Sequence, residues 1–285
     1  MTDFFNELVH ELIHILEHTV IDSLNLLPFL FLAYFIVVFV EHKSSEKSLN
    51  VLKKVGRFGA VPGALLGIIP QCGFSVAAVN LFNGGIITLG TLIAVFLSTS
   101  DEAVILLFAN GNFSKYAFYL IGFKIVTGIL FGLLFDLINK NETNHCDDDF
   151  CKNCNCENGI IRAAFTHTVS IFIYIVAASF VINILTEFCG DMISNILLKG
   201  SWLQPFFTAL VGFIPGCAVS ITFSELFMAE ELSFGSLLAG LLTNAGMGLL
   251  VLVKTYPHKK TIAYIMFYMY VISVVCGVLT NLLFL

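Results

Sequence analysis

Gly67-Ile68-Ile69-Pro70-Gln71-Cys72-Gly73-Phe74-Ser75 returns 145 residues later as Gly212-Phe213-Ile214-Pro215-Gly216-Cys217-Ala218-Val219-Ser220. The same offset pairs Ala64 with Ala209, Leu81 with Leu226, Phe82 with Phe227, Gly90 with Gly235 and Leu97 with Leu242. Farther on it pairs Tyr119 with Tyr264 and Gly132 with Gly277. Low-information residues that agree at one fixed offset mark an internal duplication. Each copy carries a Pro-x-Cys inside an apolar run, so both halves keep their chemistry at the same place.

The 285 residues are 58% hydrophobic and only 12% charged, where a soluble domain carries roughly a quarter charged residues. The chain therefore reads as a polytopic membrane protein, with 29 Phe against one Trp supplying apolar bulk. The formal charge of −6 is uneven, because acids gather at the N-terminus and in one central loop. Residues 1–21 hold acids and no base. That does not fit a cleavable signal peptide, which needs a basic leader, so targeting is expected to come from the first span.

Residues 1–22 read as an amphipathic helix, with His10, His14 and His18 four apart and so on one face. Apolar segments follow at 25–40, 58–82, 84–109 and 116–138, then a polar loop, then 163–185, 201–227, 232–253 and 261–285. The segments 58–82 and 201–227 are long enough to span but are broken by Pro70 and Pro215. Two half-helices of about 12 residues cannot each cross roughly 30 Å. Each segment is therefore one kinked span or a re-entrant hairpin. Basic residues help to choose, with the N-terminus placed outside. Kinked spans give eight crossings and parallel repeats, with ten bases inside and three outside. Hairpins give inverted repeats, with eleven inside and only Lys115 and Lys199 outside. Both obey the positive-inside tendency, and the hairpins obey it better. Inverted repeats with broken helices are also a recurrent transporter design.

Asp101 and Glu102 lie past the middle of an apolar segment, after Ser98-Thr99-Ser100. A charge there costs at least ~2.5 kcal/mol on insertion scales and usually has a task; the plainer role for Asp101 is to cap a restarted helix. The second half has Thr243-Asn244-Ala245-Gly246-Met247 at these positions, and its carboxylate is instead Glu225, opposite Asn80. Cys72 and Cys217 add soft thiols at breaks where carbonyls and a helix N-terminus are exposed. Such a mixed oxygen and sulfur set suits Mn²⁺, Fe²⁺, Zn²⁺ or a heavier metal. The plainer reading is a small buried apolar residue, which recurrence in both copies disfavours.

Within 145–157, His145, Cys146, Cys151, Cys154 and Cys156 stand among four acids. Cys151-x-x-Cys154-x-Cys156 can wrap one metal ion, with Cys146 or His145 as fourth ligand. Disulfides in an oxidising compartment, or a plain acidic linker, are the alternatives. His10-Glu11-Leu12-Ile13-His14 spells the H-E-x-x-H pattern of zinc hydrolases. No third ligand is evident for it, and a metal-gathering or plain interfacial helix fits better. His18-Thr19-Val20 recurs as His167-Thr168-Val169, so each half opens its first span with a histidine. Without a Gly-x-x-x-x-Gly-Lys-Ser/Thr loop, ATP is not expected to drive this chain.

The paired Pro70-Gln71-Cys72 and Pro215-Gly216-Cys217, the Ser98-Thr99-Ser100-Asp101-Glu102 stretch and the Cys-rich loop followed by Gly159-Ile160 resemble the ten-segment heavy-metal exporters, a family labelled with manganese or arsenic efflux. The Pro-x-Cys segments are also similar to those of the wider arsenic-permease group. Five segments per half, hairpins included, agree with ten. The resemblance implies export of a toxic or excess metal ion.

The expected fold is all-α: a polytopic membrane protein of two inverted repeats, each of about five helical segments including a Pro-broken hairpin. The expected divisions are an N-terminal helix at 1–22, a first repeat at 23–138, a metal-binding loop at 139–160 and a second repeat at 161–285. The expected activity is proton-coupled export of a divalent metal, not enzymatic catalysis. Cys72, Asn80, Asp101, Glu102, Cys217, Glu225 and Asn244 line its path. No permanent cofactor is expected beyond zinc or another metal in the 145–157 loop. The partners are the metal ion and the bilayer, with no nucleic acid and a homo-oligomer left open. Rival readings are an arsenite or organoarsenical permease, a membrane metallopeptidase using His10, Glu11 and His14, and a metal sensor.

Overall fold

The computed structural model describes residues 59–69, 73–99, 102–138 and 201–283, with a few helical positions between 28 and 35 and between 165 and 181. Among the described residues the regular structure is all helical. In the first half the helices are α1 (Ala60–Gly67), α2 (Gly73–Asn83), α3 (Leu89–Ser98), α4 (Glu102–Ala109) and α5 (Ser114–Ile138). In the second half they are α6 (Gln204–Val211), α7 (Cys217–Met228), α8 (Phe234–Thr243), α9 (Met247–Thr255) and α10 (Lys259–Leu283). The starts of α3, α4 and α5 recur at the 145-residue offset as those of α8, α9 and α10.

The local chemistry recurs as well. Thr88 caps α3 by accepting from the Thr91 N–H, and Ser233 caps α8 by accepting from the Ser236 N–H. The Gly90 N–H donates to Asp136 Oδ1, and the Gly235 N–H donates to Asn281 Oδ1, both at 2.9 Å. A Cβ on Gly132 would lie 2.7 Å from both Ala94 Cβ and the Gly90 carbonyl. On Gly277 it would lie 2.7 Å from Ala239 Cβ and the Gly235 carbonyl. Only a hydrogen fits there, so α5 closes on α3 and α10 closes on α8 by the same small-residue device that serves helix pairs in lipid.

Four segments are long and apolar enough to cross a membrane: Leu89–Ala109, Ser114–Ile138, Phe234–Thr255 and Lys259–Leu283. The first and third contain the breaks between α3 and α4 and between α8 and α9. Exposed Phe118, Val126, Leu130 and Leu137 on α5, and Phe267, Val271, Val275 and Leu279 on α10, give both helices an apolar outer face. α3 and α8 are buried all round, as expected of central helices. The molecule is a multi-pass membrane protein.

Helix directions follow from residue pairs. Gly63 faces Thr91 and Val95, and Gly67 faces Val95 and Ser98, so α1 runs with α3. Gly212 faces Gly240 and Thr243, which sets α6 along α8 in the same way. At the start of α6, the Gln204 amide donates to the Glu231 carbonyl at 2.9 Å and accepts from the Ser233 N–H and the Ser236 hydroxyl. The start of α6 therefore sits beside the end of α7. The halves interlock by exchange, α2 packing on α9 and α7 on α4. Ser75 meets Gly248 and Asn83 meets Thr255, so α2 and α9 run together. Phe135 packs at a tilt against Tyr264 and edge-to-face against Tyr268, while the Tyr268 hydroxyl donates to the Phe131 carbonyl at 3.1 Å. The numbers rise on α5 as they fall on α10, so this pair runs in opposite directions.

Candidate functional site

The two broken spans end their first helices by the same means. Ser98 and Thr99 turn their hydroxyls back onto the Val95 carbonyl at 3.1 and 2.7 Å. Thr243 does likewise to Gly240 at 3.0 Å. Each of these oxygens also accepts the last helical N–H, from Thr99 or from Asn244, so the hydroxyls back-bond onto the final turn, a pattern that bends helices. Thr99 then takes ψ 121° and its offset partner Asn244 takes ψ 89°, both outside the helical well. Asn244 Oδ1 accepts from the Gly246 N–H at 3.1 Å, an Asx-type turn. Gly246, at φ 58°, restarts the chain into α9.

Asn244 also reaches out of its own segment. Its Nδ2 donates to the Gly216 carbonyl at 3.4 Å, inside Pro215-Gly216-Cys217. The second Pro-x-Cys and the second broken span therefore meet. Cys217 opens α7, half-buried against the main core, and its carbonyl accepts from the Ser220 hydroxyl.

A residue that segment reading passes over joins the two breaks. Lys124, on α5, is 2% exposed. Its ammonium donates to the Thr99 carbonyl at the end of α3 and to the Leu241 carbonyl in the last turn of α8, the latter at 2.9 Å. Thr127 and Gly128 follow on the same buried stripe. A lone lysine inside an apolar run was the available signal, since a buried charge in a span is costly and calls for a partner.

Asn80 and Glu225, partners in the repeat, lie away from this junction. Each stands about two turns, roughly 10 Å, along its helix from the start of α2 or α7. Asn80 is 2% exposed, and neither side-chain atom has a hydrogen-bond partner among the described residues. Glu225 is exposed. Glu102 is the first residue of α4; its side chain, Cys72 and Asp101 lie outside the described residues. So do His10, His14, His18, His145, Cys146, Cys151, Cys154, Cys156 and His167. Among the described residues no three His, Cys, Asp or Glu side chains come together. The described part of the junction is made of amides, hydroxyls, carbonyls, one thiol and one ammonium.

Interrupted spans that meet in the interior of an apolar helical bundle define a membrane transporter class. The chain matches the family described as "Putative, 10TM heavy-metal exporter" over residues 15–199 and 162–284, and it belongs to that family. No curated protein and no solved structure matches it.

Proposed function

We propose that this chain is a secondary transporter that exports a divalent or heavier metal ion in exchange for protons. Its halves are inverted repeats, and each contains a re-entrant hairpin: α1–α2 and α6–α7. The observation that carries the reading is the meeting of both breaks at one interior point, through Lys124 to Thr99 and Leu241 and through Asn244 to Gly216. α1 runs with α3 and reaches Ser98 at its end, while α2 leads back to the Thr88 turn, which supports a hairpin whose two arms are α1 and α2. Gln204 clasps the base of the second pair. The opposed directions of α5 and α10, which are repeat partners, support inversion.

Metal carriage rests on the family and on the residues that the hairpin reading would gather at that point. Cys217 lies beside Gly216. Asp101 and Glu102 follow Thr99 in the chain, and Cys72 belongs to the Pro-x-Cys that precedes α2 as Cys217 opens α7. Carboxylates and thiols lose protons to bind metal, so exchange for protons follows from the ligand chemistry. Asn80 and Glu225 lie on the two approaches, one from each side. The 145–157 loop gathers metal on the cytosolic face, and the N-terminus lies outside.

The test is total cell metal by elemental mass spectrometry, in cells loaded in parallel with Mn²⁺, Zn²⁺, Fe²⁺ and arsenite. Wild type should deplete one element, and Asp101→Asn should not. Depletion of arsenite alone, lost on Cys72 or Cys217 replacement but kept in Asp101→Asn, would favour a permease. No depletion with protein in the membrane would remove the exporter reading for these ions.

A further inference from the structure

Asn80 is 2% exposed, and neither of its amide atoms has a hydrogen-bond partner among the described residues. Asn83 stands one turn farther along α2 on the same stripe, and its Oδ1 is also without a partner there. An amide offers donors on its nitrogen and lone pairs on its oxygen, so burying one wholly unpaired is costly. Buried polar groups are nearly always paired, and an exception calls for a function.

The seam beside this stripe is shut along its length. At its deep end a Cβ on Gly248 would lie 2.8 Å from Ser75 Cβ and 2.9 Å from the Ser75 carbonyl, so α2 and α9 meet there almost backbone to backbone. At its mouth Asn83 Nδ2 donates to Thr255 Oγ1 at 2.6 Å, and the Phe82 and Tyr256 ring centroids lie 5.2 Å apart. Helix α2 belongs to the first half and α9 to the second, so the seam is a boundary between halves. The matching seam, α7 on α4, is built differently. Gly111 stands at the offset position of Tyr256, and a Cβ there would meet no described atom within 4 Å. Glu225, the repeat partner of Asn80, is exposed.

We propose that the α2–α9 seam is the cytosolic gate of the carrier, shut in this structure, and that it opens at the Asn83–Thr255 end to wet Asn80. The proposal rests on the transporter reading above and deepens it by naming the contact that moves. The unpaired amide acts as a spring. It raises the cost of the shut state above that of an apolar residue, and water entering the open seam repays that cost. Asn80 then presents its amide to the hydrated cation on its way to the junction.

The experiment uses the full-length protein, with native cysteines replaced, in lipid nanodiscs. Val76, one turn deeper than Asn80 on the same stripe, is 1% exposed, and Val95, on central α3, is 5% exposed. A sulfonated methanethiosulfonate, too polar to cross lipid, reports the rate at which Val76→Cys and Val95→Cys meet water. Val76→Cys should react at least about tenfold faster, because a seam opens locally while a central helix is reached only by wider unfolding. Adding Asn80→Leu, which removes the unpaired amide, should slow Val76→Cys about tenfold. Adding Thr255→Val, which removes the latch hydroxyl, should speed it. A Val76→Cys rate no faster than that of Val95→Cys, or one unmoved by Asn80→Leu, overturns the proposal. If the Asn80→Leu protein does not fold, Thr255→Val decides: faster labelling supports the gate, and unchanged labelling overturns it. Labelling needs no cargo, so a failed metal assay leaves the gate standing, and a failed gate leaves the cargo reading standing.

Discussion

Asn83 Nδ2 donates to Thr255 Oγ1 at 2.6 Å, tying the end of α2 to the end of α9. The offset positions are Met228 and Asn110, and there Asn110 Nδ2 approaches the Met228 sulfur at 3.3 Å. Two contacts thus hold the exchanged helices at their outer ends. If residues 58–82 crossed the membrane once, Asn83 and Thr255 would lie at opposite faces, since 84–109 would then enter from the far side. The bond favours hairpins. In a background stripped of native cysteines, Asn83→Cys and Thr255→Cys should both react with an impermeant maleimide from the cytosolic side only. Asn110→Cys and Met228→Cys should react from the outer side only. Labelling of Asn83→Cys and Thr255→Cys from opposite faces would sink the hairpin arrangement.

Gly132 and Gly277 meet equivalent neighbours at equal distances. An added methyl on either must push α5 off α3 or α10 off α8, because the neighbouring atoms are backbone or Cβ and cannot rotate away. Gly132→Ala and Gly277→Ala should each lower stability by about 1–3 kcal/mol, and by similar amounts. Gly122, on the open face of α5, has nothing within 4 Å of its would-be Cβ. Gly122→Ala should be neutral or gain up to ~1 kcal/mol from helix propensity. Thermal unfolding of the three variants in one lipid decides it, and a Gly122 loss equal to the others would refute the packing account.

Glu230 adopts φ 60° where the first half has Gly85 at φ 67°. The turn after α2 and the turn after α7 share a backbone, but only one has the residue suited to it. A left-handed non-glycine residue costs roughly 1–2 kcal/mol. Glu230→Gly should therefore recover about 1 kcal/mol, and Gly85→Glu should lose a similar amount. Unchanged melting in both would mean that exposed Glu230 makes compensating contacts in the bilayer.

The duplication was legible because glycines, prolines and small residues are fixed by backbone approach, and that approach repeats. Gly90 with Gly235 and Gly132 with Gly277 marked the repeat in sequence, and the structure shows them at the α3–α5 and α8–α10 contacts. Asn244 was legible as a polar residue at the partner position of Thr99. Lys124 stood in plain view within 116–138 and was passed over, because its partners are main-chain carbonyls, which leave no mark in sequence. Asp136 and Asn281 went unread as well: both sit near helix ends, where a polar residue usually signals only solvent. The opposed directions of α5 and α10 could not be read from pattern at all, since a repeat looks the same in sequence whether it is parallel or inverted. Charge bias carried that choice, and eleven-to-two against ten-to-three is a thin margin.

Asn244 offers the sharpest test of the junction, since its two bonds differ in kind. Oδ1 holds the local turn through Gly246, and Nδ2 reaches the Gly216 carbonyl. Asn244→Asp keeps the acceptor for Gly246 but sets a carboxylate oxygen against the Gly216 oxygen. Asn244→Leu loses both bonds and leaves two buried main-chain groups short of partners, at about 1–3 kcal/mol. The leucine variant should therefore melt well below wild type. The aspartate variant should fold, yet release the Pro215-Gly216-Cys217 segment from α8. That release is read by the rate at which Cys217 is alkylated, with the other cysteines replaced. Faster alkylation in Asn244→Asp than in wild type, at similar melting temperature, is the expected result. Unchanged alkylation would mean that the long 3.4 Å contact contributes nothing to holding the Pro-x-Cys segment at the break.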